Sequence, residues 1–172
     1  MLAESNVRFA MREKSLLSLI FRNIAFTFLQ PGLIAGAIPF LIAKNNIQIA
    51  LNNTFGIYQY LGCLMGAVGL STLLSCIARF ALDGQGTLSP ADPTKRLVIS
   101  GLYRYSRNPM YVGVTLLLLG EAIFSKSVML TSYSVVVAIG FNLFVLYHEE
   151  PRLRKDFGQE YEEYCRSVRR WI

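Results

Sequence analysis

Four apolar runs, separated by polar stretches, constrain this chain more than any other feature of its sequence. They are Ile24–Ala43, Ile57–Leu82, Met110–Phe124 and Val128–Tyr147. A helix needs about 20 mostly apolar residues to cross a bilayer, and only the third run is shorter than that. Charged residues make up 16% of the chain, whereas soluble domains carry about 25%. The sequence therefore predicts an all-α polytopic membrane protein with four transmembrane helices.

The links between these runs indicate how the helices pack. Ser125-Lys126-Ser127 leaves room only for a tight turn, so the third and fourth runs form a helical hairpin. The Gly62-x-x-x-Gly66 pattern allows a neighbouring helix to approach the second run closely. Glu121 lies inside the third run, where a charge is costly, so we expect it to face the bundle. A lining position in an acceptor channel and a structural hydrogen bond are equal alternatives for Glu121.

The basic residues indicate the orientation. Of the 17 Lys and Arg residues, all but Lys44, Lys126 and Arg79, which lies near the end of the second run, precede the first run, separate the second from the third, or follow the fourth. Four crossings place these three segments on one side, which the positive-inside rule makes the cytoplasm. We therefore expect both termini to be cytoplasmic. This charge pattern is typical of membrane topology rather than of nucleic-acid binding.

The segment after the fourth run has the pattern of an amphipathic helix. Apolar or aromatic side chains recur there at helical spacing, at Leu153, Phe157, Tyr161, Tyr164 and Val168. We expect this helix to lie against the bundle or the membrane, with an interruption near Gly158. The three cysteines and the single histidine, His148, are too few for a zinc site, so no metal site is predicted.

Three blocks of residues occur in order from Gly84 onwards. They are Gly84-x-Gly86, then Gly101-x-Tyr103-Arg104-Tyr105-x-Arg107-Asn108-Pro109-x-Tyr111-x-Gly113, then Glu149-Glu150-x-x-Leu153 with Phe157-Gly158-x-x-Tyr161 and Tyr164. This arrangement resembles the isoprenylcysteine carboxyl methyltransferases and the phospholipid methyltransferases, from about Ile57 to the end of the chain. The resemblance implies S-adenosylmethionine as methyl donor, bound at the cytoplasmic face. It also implies a lipid-like acceptor that enters from the bilayer.

The length of 172 residues suits one domain, so we expect a single membrane-embedded domain over residues 1–172, with an interfacial segment at residues 1–23. The resemblance implies that residues 83–109 and 148–172 bind the cofactor. The expected cofactor-binding residues are Gly84, Gly86, Tyr103, Arg104, Tyr105, Asn108, Pro109, Tyr111, Glu149, Glu150 and Tyr161. A glutamate suits the hydroxyls or ammonium of the donor, Arg104 or Arg107 suits its carboxylate, and the tyrosines suit adenine or the sulfonium.

Methyl transfer is an in-line displacement on carbon, so it depends mainly on alignment and on the exclusion of water. The expected catalytic residues are Glu150, His148 and Arg104. An amine acceptor requires a base, for which His148 or one glutamate is the candidate, whereas a carboxylate acceptor is already nucleophilic. Many relatives have histidine where this chain has Asn108, which argues against proton transfer at that position.

Two other functions compete with this interpretation. The ending YEEYCRSVRRWI is similar to that of the sterol reductases, which implies an NADPH-dependent membrane reductase as the alternative. A small transporter or assembly protein is the non-enzymatic alternative, and it would need more polar residues inside the spans than Glu121 and Asn142. The identity of the acceptor and the oligomeric state are not predicted.

Overall fold

The structure, a computed structural model, describes residues 31–83 and 96–172, and every regular element in these two ranges is helical. A π-helical turn, Leu33–Ala37, leads into α1 (Ile38–Asn52), and α2 (Ile57–Asp83) follows. A 3₁₀ turn, Gly101–Arg104, precedes α3 (Pro109–Ser125) and α4 (Val128–Phe144). A second π-helical turn, Val145–Glu149, joins α4 to α5 (Glu150–Ser167). The predicted all-α class is confirmed for the described residues.

Three helical segments are long and apolar enough to cross a membrane, namely Leu33–Asn52, Ile57–Arg79 and Val128–Ser167. The last has 40 residues, about twice what a bilayer requires, and it becomes strongly charged after Tyr147. Its spanning part is therefore the apolar portion that begins at Val128. Helix α3 is apolar but has 17 residues, about 25 Å at the rise of a helix, so a fourth crossing stays a prediction.

The predicted end of the first span, at Ala43, is wrong. The helix continues to Asn52 and ends where Asn53 adopts an extended backbone, with φ −109° and ψ 163°. Lys44, Asn45 and Asn46 lower the hydropathy, but they are exposed and neither glycine nor proline follows them to end the helix. The start of that run and the interfacial segment 1–23 lie outside the described residues.

Glycines bring α2 and α3 into backbone contact. A Cβ atom on Gly62 would lie 2.7 Å from the carbonyl oxygen of Gly120, and one on Gly69 would lie 2.6 Å from the amide nitrogen of Leu117. A Cβ atom on Gly120 would in turn lie 2.6 Å from the amide nitrogen of Gly66. These distances are too short for any side chain, so the close approach predicted from Gly62 and Gly66 is confirmed.

The hairpin between α3 and α4 is tight, as predicted. Lys126 adopts a left-handed conformation with φ 49°, and the side chain of Ser127 accepts a hydrogen bond from the amide of Leu130 at 3.2 Å. This N-cap satisfies one of the free amides at the start of α4. Helix α3 begins at Pro109, which costs no hydrogen bond in the first turn of a helix.

Helix α5 has the predicted amphipathic character and the predicted interruption. Gly158 has φ 52° and ψ −123°, a conformation that is readily open only to glycine. On either side of it α5 buries Glu150, Tyr161 and Tyr164, while most of its charged residues are exposed. Burying these three side chains requires partners, and the loop before α3 supplies them.

Candidate functional site

The loop before α3, the junction of α4 with α5, and the segment after α5 meet at one end of the bundle. The backbone amide of Arg107 donates to the carbonyl of Arg169 at 2.9 Å, and the side-chain amide of Asn108 donates to the carbonyl of Arg170 at 3.0 Å. The hydroxyl of Tyr164 donates to the carbonyl of Tyr103 at 2.6 Å. The tyrosine- and arginine-rich loop and the acidic exit of α4 therefore belong to one polar end of the molecule.

Glu150 lies at the centre of this polar end, with a side chain that is 3% exposed. Its carboxylate accepts two hydrogen bonds from Arg170, from Nε at 2.7 Å and from Nη2 at 3.1 Å. Arg107 Nη1 lies 3.1 Å from the same carboxylate and donates to Cys165 Sγ at 2.7 Å. Arg154 is 3.7 Å away on the surface side. Glu150 is thus satisfied by arginines of its own chain.

The Glu149 side chain contacts different residues from those that bind Glu150. The hydroxyl of Tyr111 donates to Glu149 Oε2 at 2.8 Å, and the Tyr111 ring packs on Phe141 with ring centroids 4.7 Å apart. The pair therefore joins the start of α3 to the end of α4, beside aromatic surface. Unlike the carboxylate of Glu150, that of Glu149 has no arginine within ion-pair distance in the described part of the chain.

The two neighbouring carboxyl groups are shifted in opposite directions. Burial raises the pKa of Glu149, although the hydrogen bond from Tyr111 and the charge of Arg152 act against it. Burial would also raise the pKa of Glu150, but the hydrogen bond from Arg170 and the charge of Arg107 outweigh it and hold that pKa below its ordinary value. Opposite shifts in adjacent acids indicate different tasks. The Glu150 carboxylate is held by arginines, whereas the Glu149 carboxylate is held by a tyrosine hydroxyl.

Two buried arginine nitrogens near these acids lack a hydrogen-bond acceptor. They are Nε of Arg107 and Nε of Arg152, neither of which has a partner within residues 31–83 and 96–172. A buried guanidinium N–H without an acceptor is costly, so it indicates a place where an anionic or carbonyl group is expected.

The other predicted site residues are distributed unevenly. Tyr103, Asn108, Pro109 and Tyr161 are buried in the polar end, whereas Arg104 and Tyr105 are exposed. His148 is exposed and packs on Phe144, with ring centroids 5.1 Å apart. Among the described residues, neither Arg104 nor His148 makes a hydrogen bond or ion pair with Glu150, so the predicted catalytic trio is not brought together. Gly84 and Gly86 lie outside the described residues.

An apolar cavity of about 470 Å³ opens between α3 and α4 next to the Tyr111–Glu149 pair. It is lined by Val112, Thr115, Leu116, Val135, Ala138, Ile139, Phe141, Asn142 and Trp171. The indole nitrogen of Trp171 donates to Asn142 Oδ1 at 3.2 Å, and the hydroxyl of Thr115 donates to the carbonyl of Tyr111 at 2.8 Å. We call this cavity the α3–α4 groove.

Sequence reasoning did not place Arg170, Arg152, Trp171 or Asn142 in the site. Three of these, Arg170, Arg152 and Trp171, are basic or aromatic residues of a kind that membrane topology and interfacial anchoring already explain, so no separate signal distinguishes them. Asn142 was recognised as a polar residue inside a span, which is the one signal that pointed to it. Within the described ranges no group of three potential metal ligands occurs.

The fold and the site together define a helical membrane protein with a polar, charged site where apolar helices end. A sequence model of the phospholipid methyltransferase family matches residues 57–160, more than half of the chain, and the protein belongs to that family. The family makes it a membrane methyltransferase. No curated protein and no solved structure matches the chain.

Proposed function

We propose that this protein transfers a methyl group from S-adenosylmethionine to a lipid-like acceptor. The observation that carries the proposal is the position of the Tyr111–Glu149 pair. The Tyr111 ring packs on Phe141 of the apolar α3–α4 groove, and Glu149 directly precedes Glu150, which binds the arginines of the polar end. A polar donor and an apolar acceptor need two such unlike surfaces side by side. Family membership supplies the reaction class.

The residues present fit the donor. S-adenosylmethionine carries a carboxylate and an ammonium at one end. The Nε groups of Arg107 and Arg152, which have no acceptor among the described residues, suit the carboxylate, and the Glu149 carboxylate suits the ammonium. Aromatic rings beside Glu149, those of Tyr111 and Phe141, suit the flat or cationic parts of the donor. When bound, the cofactor supplies an electrophilic methyl group on its sulfonium.

We assign Glu150 a positioning role. Both of its oxygens are already engaged, one by Arg170 Nε and Arg107 and the other by Arg170 Nη2, and it is almost fully buried. Its effect on the donor is therefore indirect: it holds Arg107, and through Arg170 it fixes the segment after α5 over the site. Glu149 is the acid that contacts the ligand in this proposal.

The acceptor is proposed to lie in the α3–α4 groove. Its apolar walls and its opening between two apolar helices suit a hydrocarbon part that comes from the bilayer. Holding the reacting atoms together at the groove's polar end and keeping water out are the main contributions that displacement on carbon requires from a protein. The reaction needs no covalent bond to the enzyme.

Calorimetric titration of the detergent-solubilised protein distinguishes this function from the reductase alternative. We expect S-adenosylhomocysteine, the donor product, to bind with a measurable affinity, and NADPH to give no binding heat. Binding of NADPH without binding of S-adenosylhomocysteine would contradict the proposal and favour a reductase. Binding of neither ligand would also contradict it.

A further inference from the structure

Trp171 follows two arginines in sequence, yet it lies against an apolar cavity. Its indole forms part of the wall of the α3–α4 groove, at the end where Asn142 and Phe141 also line it. Its ring nitrogen donates to Asn142 Oδ1 at 3.2 Å, so the ring is tied to α4. The preceding residue, Arg170, is tied to Glu150 by two hydrogen bonds. The ring is thus fixed from both sides.

The groove extends into the apolar part of the bundle from this end. On α4 its lining residues run from Asn142 to Val135, seven positions, or about 10 Å along the helix. Val135 and Ile139 are also half exposed on the outer surface of the helix, so the groove opens towards the hydrocarbon of the bilayer. Its depth and its opening suit the first part of one hydrocarbon chain.

Most polar side-chain atoms along the groove already have hydrogen-bond partners within the protein. The Trp171 N–H is taken by Asn142, and the Thr115 hydroxyl is taken by the carbonyl of Tyr111. Apart from the side-chain amide nitrogen of Asn142, the remaining side chains of the lining present aliphatic or aromatic carbon. Hydrocarbon therefore matches most of the wall, whereas a polar occupant would find few partners.

The groove ends beside the proposed methyl-transfer site. Phe141, one of its lining residues, packs on the ring of Tyr111, whose hydroxyl donates to Glu149. A chain lying in the groove would therefore present its polar head next to Tyr111 and Glu149. The Trp171 ring lies at that same end of the groove, where the hydrocarbon chain of the occupant would join its polar head.

We propose that Trp171 is a specificity-determining residue, whose indole closes the polar end of the α3–α4 groove around a single hydrocarbon chain of the acceptor. The inference rests on the proposed function for the identity of the occupant as acceptor. The occupancy of the groove by hydrocarbon does not depend on catalysis and can be tested alone.

Trp171 is the only tryptophan in the chain, so its fluorescence reports on the groove directly. The protein is reconstituted in phosphatidylcholine vesicles, and phosphatidylcholine brominated along its acyl chains serves as the quencher. We expect strong quenching in the wild-type protein. In Ala138→Phe the added ring fills the groove, so quenching is largely lost. In the matched control Val136→Phe, on the exposed face of the same helix, quenching stays at the wild-type level.

Equal quenching in the wild-type protein and in both variants would overturn the inference, as would a lack of quenching in the wild-type protein. Thermal unfolding of each variant in detergent shows whether it is folded. If Ala138→Phe does not fold, Leu116→Phe, which fills the groove from α3, takes its place with the same expected loss.

Kinetics then test the role in specificity, with phosphatidylethanolamine as acceptor probe. We expect Trp171→Ala to raise the acceptor KM by roughly tenfold or more, because it removes a large apolar wall, and to leave the KM for S-adenosylmethionine unchanged. Trp171→Phe keeps a ring and should lie close to wild type. An unchanged acceptor KM in Trp171→Ala would overturn the inference. An inactive wild-type protein that also fails to bind S-adenosylhomocysteine would count against the proposed function, and the quenching result would still decide the occupancy of the groove.

Discussion

The guanidinium of Arg170 and the carboxylate of Glu150 form a two-bond fork, with Nε and Nη2 at 2.7 Å and 3.1 Å from the two carboxylate oxygens. This fork connects the first residue of α5 to the segment after α5, 20 positions later. Tyr161 and Cys165 lie in sequence between the two residues of this fork. Arg107, from the loop before α3, also contacts the carboxylate of Glu150. One buried acid therefore links the start of α5, the segment after α5 and the loop before α3.

Removal of that acid should release the segment after α5. In Glu150→Ala the buried Arg107 and the half-buried Arg170 lose their common anion, and we expect a loss of about 3 kcal/mol in the stability of the docked segment. The measurement is the rate of tryptic cleavage after Arg166 or Arg169 under native conditions, which should rise. Glu160→Ala, at an exposed position of the same helix, is the control. Equal cleavage rates in both variants would contradict the role assigned to Glu150.

The titration of Glu150 should also make the docking of the segment after α5 depend on pH. Because the pKa of Glu150 is lower in the folded protein than its ordinary value of 4.5, its contribution is present above that pH and is lost as the pH falls through the lower, folded value. Cleavage of the segment after α5 by an acid-stable protease should therefore increase on acidification below about pH 4.5. Glu150→Gln should show no such transition. A transition of the same size in this variant would assign it to another group.

Packing between α2 and α3 gives a prediction with a matched control. Gly69→Ala places a methyl group 2.6 Å from the backbone of Leu117, so the helices must separate, at a cost of about 1–3 kcal/mol. Gly140→Ala adds the same group where no atom lies within 4 Å, and it should change stability by less than about 0.5 kcal/mol. Thermal unfolding in detergent compares the two. A Gly140→Ala loss as large as that of Gly69→Ala would contradict the packing described for these helices.

Much of this architecture could be predicted from the sequence. The Gly62–Gly66 spacing predicted that a neighbouring helix approaches α2 closely, and the structure shows that this helix is α3. Ser125-Lys126-Ser127 predicted the hairpin. Both features are local in sequence and strongly restrict the backbone. The end of the first span was harder to predict. Polar side chains at Lys44–Asn46 lower hydropathy without ending a helix, so hydropathy alone misplaced the boundary by nine residues, from Ala43 to Asn52.

The sequence predicted which regions of the chain form the site, but not which residues contact each other within it. The sequence indicated Glu149 and Glu150 as a pair, but it could not show that one acid binds arginines of its own chain while the other faces Tyr111. That division depends on contacts between residues 20 to 43 positions apart, such as Arg107 with Glu150, which no local pattern encodes. Arg104 was preferred to Arg107 for the same reason, although only Arg107 lies in the buried cluster.

The affinity for S-adenosylhomocysteine should depend on the protonation state of Glu149. Burial raises the pKa of this carboxyl above 4.5, and the ionised form is the one that attracts the ammonium of the donor. The affinity for S-adenosylhomocysteine should therefore fall as the pH is lowered, and the fall should begin at a higher pH than for an ordinary glutamate. A calorimetric pH series checks this. An affinity of Glu149→Gln that falls over the same range would assign the titration to another group.

The most direct test of the account is the affinity of Glu149→Gln for S-adenosylhomocysteine, measured by calorimetry at neutral pH beside Glu160→Gln. We expect Glu149→Gln to weaken binding by roughly 10-fold to 100-fold, the effect of losing one charge-assisted hydrogen bond. Thermal unfolding should show that the variant remains folded, and Glu160→Gln should bind as the wild type does. Wild-type affinity in a folded Glu149→Gln would contradict the assignment of the Tyr111–Glu149 pair as the methyl-donor site.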